Sequence, residues 1–275
     1  LVSRRAFLRG LFGSFLAALA MLIGLPLSYK WRKRMSPTRH SMPETRSGAI
    51  PLPYPRIRGE MSLEEAIAYR RSIRDYLDEP ITLEELAQVL WAAQGVTETR
   101  YGFRAAPSAG ATYPLEVYVV VAPRGVVLPS HDFLEPGSYR YVPQSHSLLI
   151  VRQGDLQEPL YRAALEQEWV LNAPVNIVIA AVYERTTRRY GERGIRYVHM
   201  EVGHVGQNIY LQATALGLAT VAVGAFVDEE VQRIIGAGPH VHPLYIMPLA
   251  KPLEPYRVSK EELIGYIESH RKERR

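Results

Sequence analysis

Apolar and polar positions between residues 62 and 95 follow the 3.6-residue period of two amphipathic helices, each opened by a capping box. Ser62-Leu63-Glu64-Glu65 opens the first, with apolar positions at Leu63, Ala66, Ile67 and Tyr69 and an end around Arg70–Ser72. Thr82-Leu83-Glu84-Glu85 opens the second, which runs through Leu86, Val89, Leu90 and Ala93 to a stop at Gly95. A Gly/Ala/Ser/Pro loop at 105–114 leads into "LEVYVVVA" (115–122), whose unbroken apolar run predicts a buried strand. Weak alternation over 139–152 predicts a hairpin, and a helix is expected over about 155–168. "APVNIVIAAVY" (173–183) is apolar throughout, as a strand covered on both faces must be. A long apolar helix follows at 195–216, with Val198, Val202, Val205, Ile209, Ala213 and Leu216 as its stripe. Next come a strand or loop at 219–226, a short helix capped by Asp228 and ending at Ile235, and a last core strand at 243–252. Strands and helices alternate, which predicts an α/β or α+β domain around a mixed sheet.

Charge divides the chain into two parts. Of 33 Lys/Arg and 28 Asp/Glu, nine and one fall in residues 1–46, so the remainder carries 24 against 27, a net −3. A body of that balance offers no basic surface for nucleic acid, so none is expected as a partner. There is no cysteine, which excludes disulfides, thiolate metal sites and a cysteine nucleophile. Ser3-Arg4-Arg5-Ala6-Phe7-Leu8-Arg9 precedes an apolar run from Gly10 to Leu27 and resembles a twin-arginine export signal, with Arg9 where lysine is usual. A plain membrane anchor with basic flanks is the alternative. The run is about 18 residues, the lower limit for crossing a bilayer. Met21-Leu22-Ile23 stays apolar beyond the small-x-small Ala18-Leu19-Ala20, so the leader is expected to be retained as an anchor. The expected organisation is a signal or anchor at 1–30, a Pro/Arg/Ser-rich linker at 31–58 and one domain at 59–275.

"RRSIRDY" (70–76) sets three arginines into five positions at a helix end. Cations there complement the helix dipole, which accounts for one or two of them. The planar guanidinium fork also suits a phosphate, through two parallel charge-assisted bonds. No G-x-G-x-x-G follows a strand and no G-x-x-x-x-G-K-[ST] exists, so neither a Rossmann nor a P-loop phosphate site is supported.

Four segments together carry a resemblance: "RRSIRDY", "PSAGATYPLEVY" (107–118), "RYGERGIRYVHMEVGHVGQNIYLQATALGLATVAVGAF" (189–226) and "LYIMPLAKPLEPYR" (244–257). In this order and spacing they resemble the FMN-dependent nitroreductase superfamily, closest to its SagB/ThcOx dehydrogenase branch, which oxidises peptide azolines. The likeness spans about residues 60–262. It implies a nitroreductase-like α+β fold, FMN as cofactor and a homodimer with the flavin at the subunit interface. By the same resemblance Arg70, Arg71, Ser72 and Arg74 are the phosphate and ribityl contacts, and Ser108 meets the pyrimidine edge of the ring. Small neighbours such as Gly110 let backbone approach the ring closely. Gly224 and Ala225, with Phe226, supply backbone N–H groups toward flavin N5, a donor set that stabilises charge on the reduced ring. Lys251 or Arg257 adds a cation to the phosphate.

Arg189-Tyr190 departs from the branch, which carries lysine before this tyrosine. Arginine cannot shed its proton near neutrality, so a lysine-type base is absent. Tyr190 remains able to act as acid or base with the Arg189 charge beside it, or to pack without chemistry. His199, Glu201 and His204 invite a metal reading, but 199 and 204 are five apart and off one helix face. No metal is expected.

The function implied is two-electron transfer through flavin N5 to or from an unidentified small molecule or peptide. An exported, membrane-anchored protein that engages the twin-arginine machinery favours a substrate-oxidising dehydrogenase on the extracytoplasmic face. The rivals are a membrane-tethered NAD(P)H-dependent nitro or quinone reductase and a non-catalytic flavin-binding or partner-binding module.

Overall fold

The structure, a computed structural model, describes residues 48–272. The leader and most of the expected linker lie outside the described residues. Contacts part the chain into residues 1–42 and 43–275, and the fold below belongs to the second unit.

That unit begins earlier than expected. Strand β1 (Ala49–Pro51) lies inside the expected linker and pairs with β8 of the hairpin. Leu52 beside it is buried, and its N–H donates to the His146 carbonyl at 3.0 Å. Proline is tolerated because β1 is an edge strand. Helix α1 (Leu63–Tyr69) and helix α2 (Leu83–Gln94), which follows strand β2 (Ile81–Thr82), both form the expected capping boxes. In α2 the Thr82 hydroxyl accepts the Glu85 N–H at 3.1 Å, and the Glu85 carboxylate accepts the Thr82 N–H at 2.7 Å. Gly95 closes α2 in an extended rather than left-handed conformation. The Trp91 ring fills the space that a Cβ at 95 would need, so glycine is required there for room and not for φ.

Strands β3 (Val96–Glu98) and β4 (Phe103–Arg104) form a small antiparallel pair, followed by a 3₁₀ turn at Ala109–Ala111. Then come β5 (Leu115–Val121), β6 (Val126–Val127), β7 (Gly137–Val142) and β8 (Ser147–Gln153). The helix expected over 155–168 is two: α3 (Gln157–Ala163) and α4 (Glu168–Leu171). Leu165 and Glu166 take φ of 58° and 57° between them, which no helix can continue through.

Strand β9 (Val175–Ala181), helix α5 (Glu184–Tyr190), the long helix α6 (Arg193–Ala215) and strand β10 (Ala219–Thr220) lead to α7 (Asp228–Ile235). Asp228 is the first helical residue and not the cap. Val227 holds the cap position, and no side chain bonds there. Strand β11 (His242–Ala250) and helix α8 (Lys260–Lys272) complete the unit.

The central sheet runs β1-β8-β7-β5-β9-β11-β10, and each of its ladders is antiparallel. The expected mixed character survives only at its edge, where Ser72 bridges Thr220 of β10 in parallel. Two hydrophobic clusters cover the two faces. Ile177 and Ile179 of β9 join α2 and α6 in one, while Val178 and Ala180 join α3 and α7 in the other. This alternation explains why β9 reads as an unbroken apolar run. The α6 stripe faces the first cluster, with Leu216 only partly buried at its end. The class is therefore α+β, as expected. Among the described residues no helix is long and apolar enough to cross a membrane.

Candidate functional site

The arginine motif is held in place by its backbone. Arg70 caps α1, its N–H donating to the Ala66 carbonyl. Ile73 N–H donates to Thr220 at 3.2 Å, Leu77 N–H to Lys251 at 3.0 Å and Leu253 N–H to Asp75 at 2.9 Å. "RRSIRDY" thus lies as a strap between β10 and the chain leaving β11. The Ser72 hydroxyl meets the Tyr210 hydroxyl at 2.8 Å, and Tyr210 accepts the Ala222 N–H at 2.8 Å. Tyr210, a buried residue of α6, ties the strap to the loop after β10.

Three guanidiniums remain without a carboxylate among the described residues. Arg70 lies over the Tyr210 ring at 5.1 Å, Arg71 over Tyr256 at 3.9 Å and Arg74 over Trp169 at 5.0 Å. Arg71 also donates to the carbonyls of Ala68 and Arg70 at the end of α1. Geometry separates the two C-terminal candidates. Lys251 is paired with Glu79 at 2.7 Å, whereas Arg257 has no carboxylate within ion-pair distance among the described residues and lies at 4.8 Å over the ring of Tyr69, the residue before Arg70 in the chain. Arg257 thus shares with the strap arginines the lack of a carboxylate partner, and Lys251 does not.

The loop at 221–227 is fastened at both ends and open in the middle. Val223 exchanges two backbone bonds with Ile246 at 2.8 and 3.0 Å, and Val227 N–H donates to Ala163. The N–H groups of Gly224, Ala225 and Phe226 have no acceptor among the described residues. The Ala225 carbonyl accepts the Gln167 side chain at 2.8 Å, near the α4 residue Trp169 that carries Arg74. The strap, Arg257 and these amides therefore form one connected region.

Ser108, Gly110, Arg189 and Tyr190 form a second group. Gly110 has φ of 61°, and a Cβ there would sit 2.5 Å from the Tyr190 hydroxyl and 2.8 Å from Arg189 Nη1. Arg189 donates to the Gly110 carbonyl at 3.1 Å. Tyr190 packs edge-on against Tyr197, ring centroids 5.1 Å apart. The Ser108 hydroxyl accepts the Tyr113 N–H at 2.9 Å. No hydrogen bond or cation–π contact among the described residues joins this group to the strap. Both touch α6, this group at Tyr197 and the strap at Tyr210.

Glu201 is the residue that the sequence concealed. It is 2% exposed, and burial pushes its carboxyl up to about 7 against the pull of Ser108, Gln94 and the Arg104 charge. A glutamate between Met200 and Val202 on a long helix carries no local signal of burial. The metal grouping dissolves in three dimensions: the His199 ring meets the Tyr183 hydroxyl at 2.7 Å, while His204 is exposed. Among the described residues no three such side chains converge as metal ligands.

The donor chemistry of the strap and Arg257, four guanidiniums without a carboxylate and one hydroxyl, fits a phosphate, and the three free amides of residues 224–226 are a separate set of donors. Comparison with known proteins agrees with this architecture. Residues 67–251 match the family described as "Nitroreductase family". MJ1384 of Methanocaldococcus jannaschii, named for the nitroreductases, is 50% identical over 195 residues, 71% of this chain and 93% of that protein. The microcin B17-processing protein McbC of Escherichia coli is 28% identical over 131 residues, 46% of each protein. A solved nitroreductase homologue from Ralstonia eutropha JMP134 superposes with a TM-score of 0.64 at 27% identity, covering 76% of this chain and 91% of that one. Fold, motif order and these likenesses converge: the chain belongs to the nitroreductase family, whose members are generally flavin-dependent oxidoreductases.

Proposed function

We propose that this protein is an FMN-dependent oxidoreductase of the SagB/ThcOx kind, oxidising a small-molecule or peptide substrate. The observation that carries the reading is the set of guanidiniums without a carboxylate, those of Arg70, Arg71, Arg74 and Arg257, together with the free amides of Gly224–Phe226. The arginines and Ser72 hold the dianionic phosphate and ribityl chain, and Ser108 lies at the pyrimidine edge. Bound FMN supplies a ring that takes up or gives two electrons at N5. With FMN bound, the amides at 224–226 would be the donors available to N5 and would stabilise negative charge there. Tyr190, held against Gly110 with Arg189, gives or takes the substrate proton. The McbC likeness supports the SagB branch.

The twin-arginine-like leader supports export and a membrane anchor. A protein outside the cytoplasm meets little NAD(P)H, which favours substrate oxidation. The MJ1384 likeness favours a second reading, an NAD(P)H-dependent nitro or quinone reductase. The visible spectrum separates them. The purified chain is expected to be yellow with bound FMN and to bleach slowly with NADPH. Rapid bleaching, with quick reoxidation by quinones, would establish the second reading instead, and a colourless chain that takes up no FMN would sink both.

We also infer a homodimer. Leu263, Ile264, Tyr266 and Ile267 of α8, Leu63 and Ile67 of α1, and Met200 of α6 are all exposed in the single chain. A second copy covers such apolar surface and brings the strap of one chain to the Ser108 group of the other. Sedimentation of the leaderless protein at twice the chain mass is expected; a flavin-loaded monomer would refute it.

A further inference from the structure

The corner between α5 and α6 gathers positive charge that the proposed reaction leaves unused. Arg188 and Arg189 lie in the last turn of α5, and Arg193 and Arg196 open α6. All four are exposed, and none has a carboxylate within ion-pair distance among the described residues. Arg185, one turn earlier, is by contrast paired with Glu116. Between positions 188 and 196 four arginines stand against the single Glu192, a local +3 in a body that is net −3 beyond residue 46. The fold draws the two helix ends together. A Cβ at Gly194 would lie 2.9 Å from the Thr187 Cα, so only glycine lets them approach so closely.

This charge is continuous with the Ser108 group. Arg189, which donates to the Gly110 carbonyl, lies over the Tyr190 ring at 5.4 Å. Tyr190 meets Tyr197 edge-on, and Arg193 lies over the Tyr197 ring at 5.9 Å, its Nε donating to that hydroxyl at 3.3 Å. Packing does not explain the arrangement. Arg188 and Arg189 suit the C-terminal end of α5, but Arg193 and Arg196 oppose the dipole at the start of α6, where no acidic residue offsets them. Residues that break a local preference without a compensating contact are expected at functional positions.

We propose that this corner selects the substrate: Arg188, Arg189, Arg193 and Arg196 bind a peptide that carries several carboxylates beside its reacting group, with the Tyr190 and Tyr197 rings as the floor between them. The proposal rests on the FMN reading, which sets Ser108 and Gly110 at the edge of the ring and so sets this corner at the mouth of the site. Guanidinium forks take carboxylates through paired charge-assisted bonds. A single phosphate calls for donors converging on one point, whereas Arg189 and Arg193 lie over different rings with centroids 5.1 Å apart. Side chains on one face of an extended peptide recur every ~7 Å, a repeat that such a row of cations can follow. The attraction acts at an exposed surface, so salt screens it.

The test is a titration of the FMN-loaded chain, its strap then occupied, with tetraglutamate and with tetraglutamine, read by calorimetry and by flavin fluorescence. Tetraglutamate is expected to bind and tetraglutamine is not. R193Q/R196Q should weaken tetraglutamate binding about tenfold, the loss of two exposed ion pairs, while its affinity for FMN is unchanged. Added salt should weaken binding more in wild type than in the variant. Equal binding of the two peptides, or of tetraglutamate by wild type and variant, would overturn the proposal. So would a corner that binds NADP⁺ in preference to tetraglutamate, or one so covered by carboxylates of a second copy that tetraglutamate does not bind.

Thermal unfolding supplies an independent arm. R193Q/R196Q is expected to unfold no lower than wild type, because two cations leave the start of α6. A lower midpoint would mean that the arginines hold the corner together, and would overturn their role in selection. A chain that binds tetraglutamate but takes up no FMN would overturn the flavin reading, and with it the peptide's standing as substrate. FMN uptake without tetraglutamate binding would overturn this proposal alone.

Discussion

Replacing Arg70 and Arg71 together by alanine is expected to weaken FMN binding at least ~100-fold while leaving the protein folded. A hydrogen bond to a charged group contributes about 1.5–3 kcal/mol, so two lost phosphate contacts remove ~3 kcal/mol or more. The structural cost is smaller. Within the chain, Arg71 donates only to carbonyls at the end of α1, and both guanidiniums lie over aromatic rings. Each such stacking contributes ~0.5–1 kcal/mol at an exposed site. Flavin fluorescence titration reads the affinity, and circular dichroism reads the fold. Undiminished affinity in the double variant would remove the phosphate site from the strap. Two single variants sharpen the outcome. R257A should weaken FMN binding, whereas K251A, which loses only an exposed ion pair with Glu79, should leave it unchanged.

Placing valine at Gly110 is expected to destabilise the protein by ~2–3 kcal/mol in denaturant unfolding. The left-handed conformation at φ 61° costs an L-residue ~1–2 kcal/mol, and a branched side chain worsens it. Steric conflict adds to this, since the new Cβ meets the Tyr190 hydroxyl and the Arg189 guanidinium. The two causes can be separated with G110A and Y190A. Removing the Tyr190 ring relieves the collision but not the backbone strain. The double variant G110A/Y190A should therefore be more stable than the sum of the single losses by ~0.5 kcal/mol or more. Strict additivity would mean that Tyr190 does not rest on Gly110, and would take away its assigned place beside Ser108.

Much of the fold was legible because its signals are local. A capping box is a reciprocal pair of hydrogen bonds within four residues, so Ser62 and Thr82 announced α1 and α2. Period and unbroken apolarity announced α6 and β9. What escaped lacked such signals. Helix α8 buries no residue and so leaves no clear core-facing pattern, and α5 is too short to show a period. The break between α3 and α4 sits at Leu165-Glu166, where neither glycine nor proline marks the turn. Strand β1 hid in a Pro/Arg/Ser-rich stretch because its partner, β8, lies nearly a hundred residues away.

The site divides along the same line. Sequence alone determined which residue types stood where: three arginines at a helix end, a small-residue loop, a glycine-containing segment before Asp228 and an arginine-tyrosine pair. Only the tertiary structure decided the state of each charge. It paired Lys251 with Glu79 and left Arg257 over the Tyr69 ring without a carboxylate, and it closed Gly110 against Tyr190. It also buried Glu201 beside Gln94, where loss of solvent pushes its carboxyl up to about 7. The reason is physical. Hydrogen-bonding and rotamer preferences act over a few residues, whereas ion pairing and desolvation depend on neighbours that the chain brings together from a hundred or more positions away.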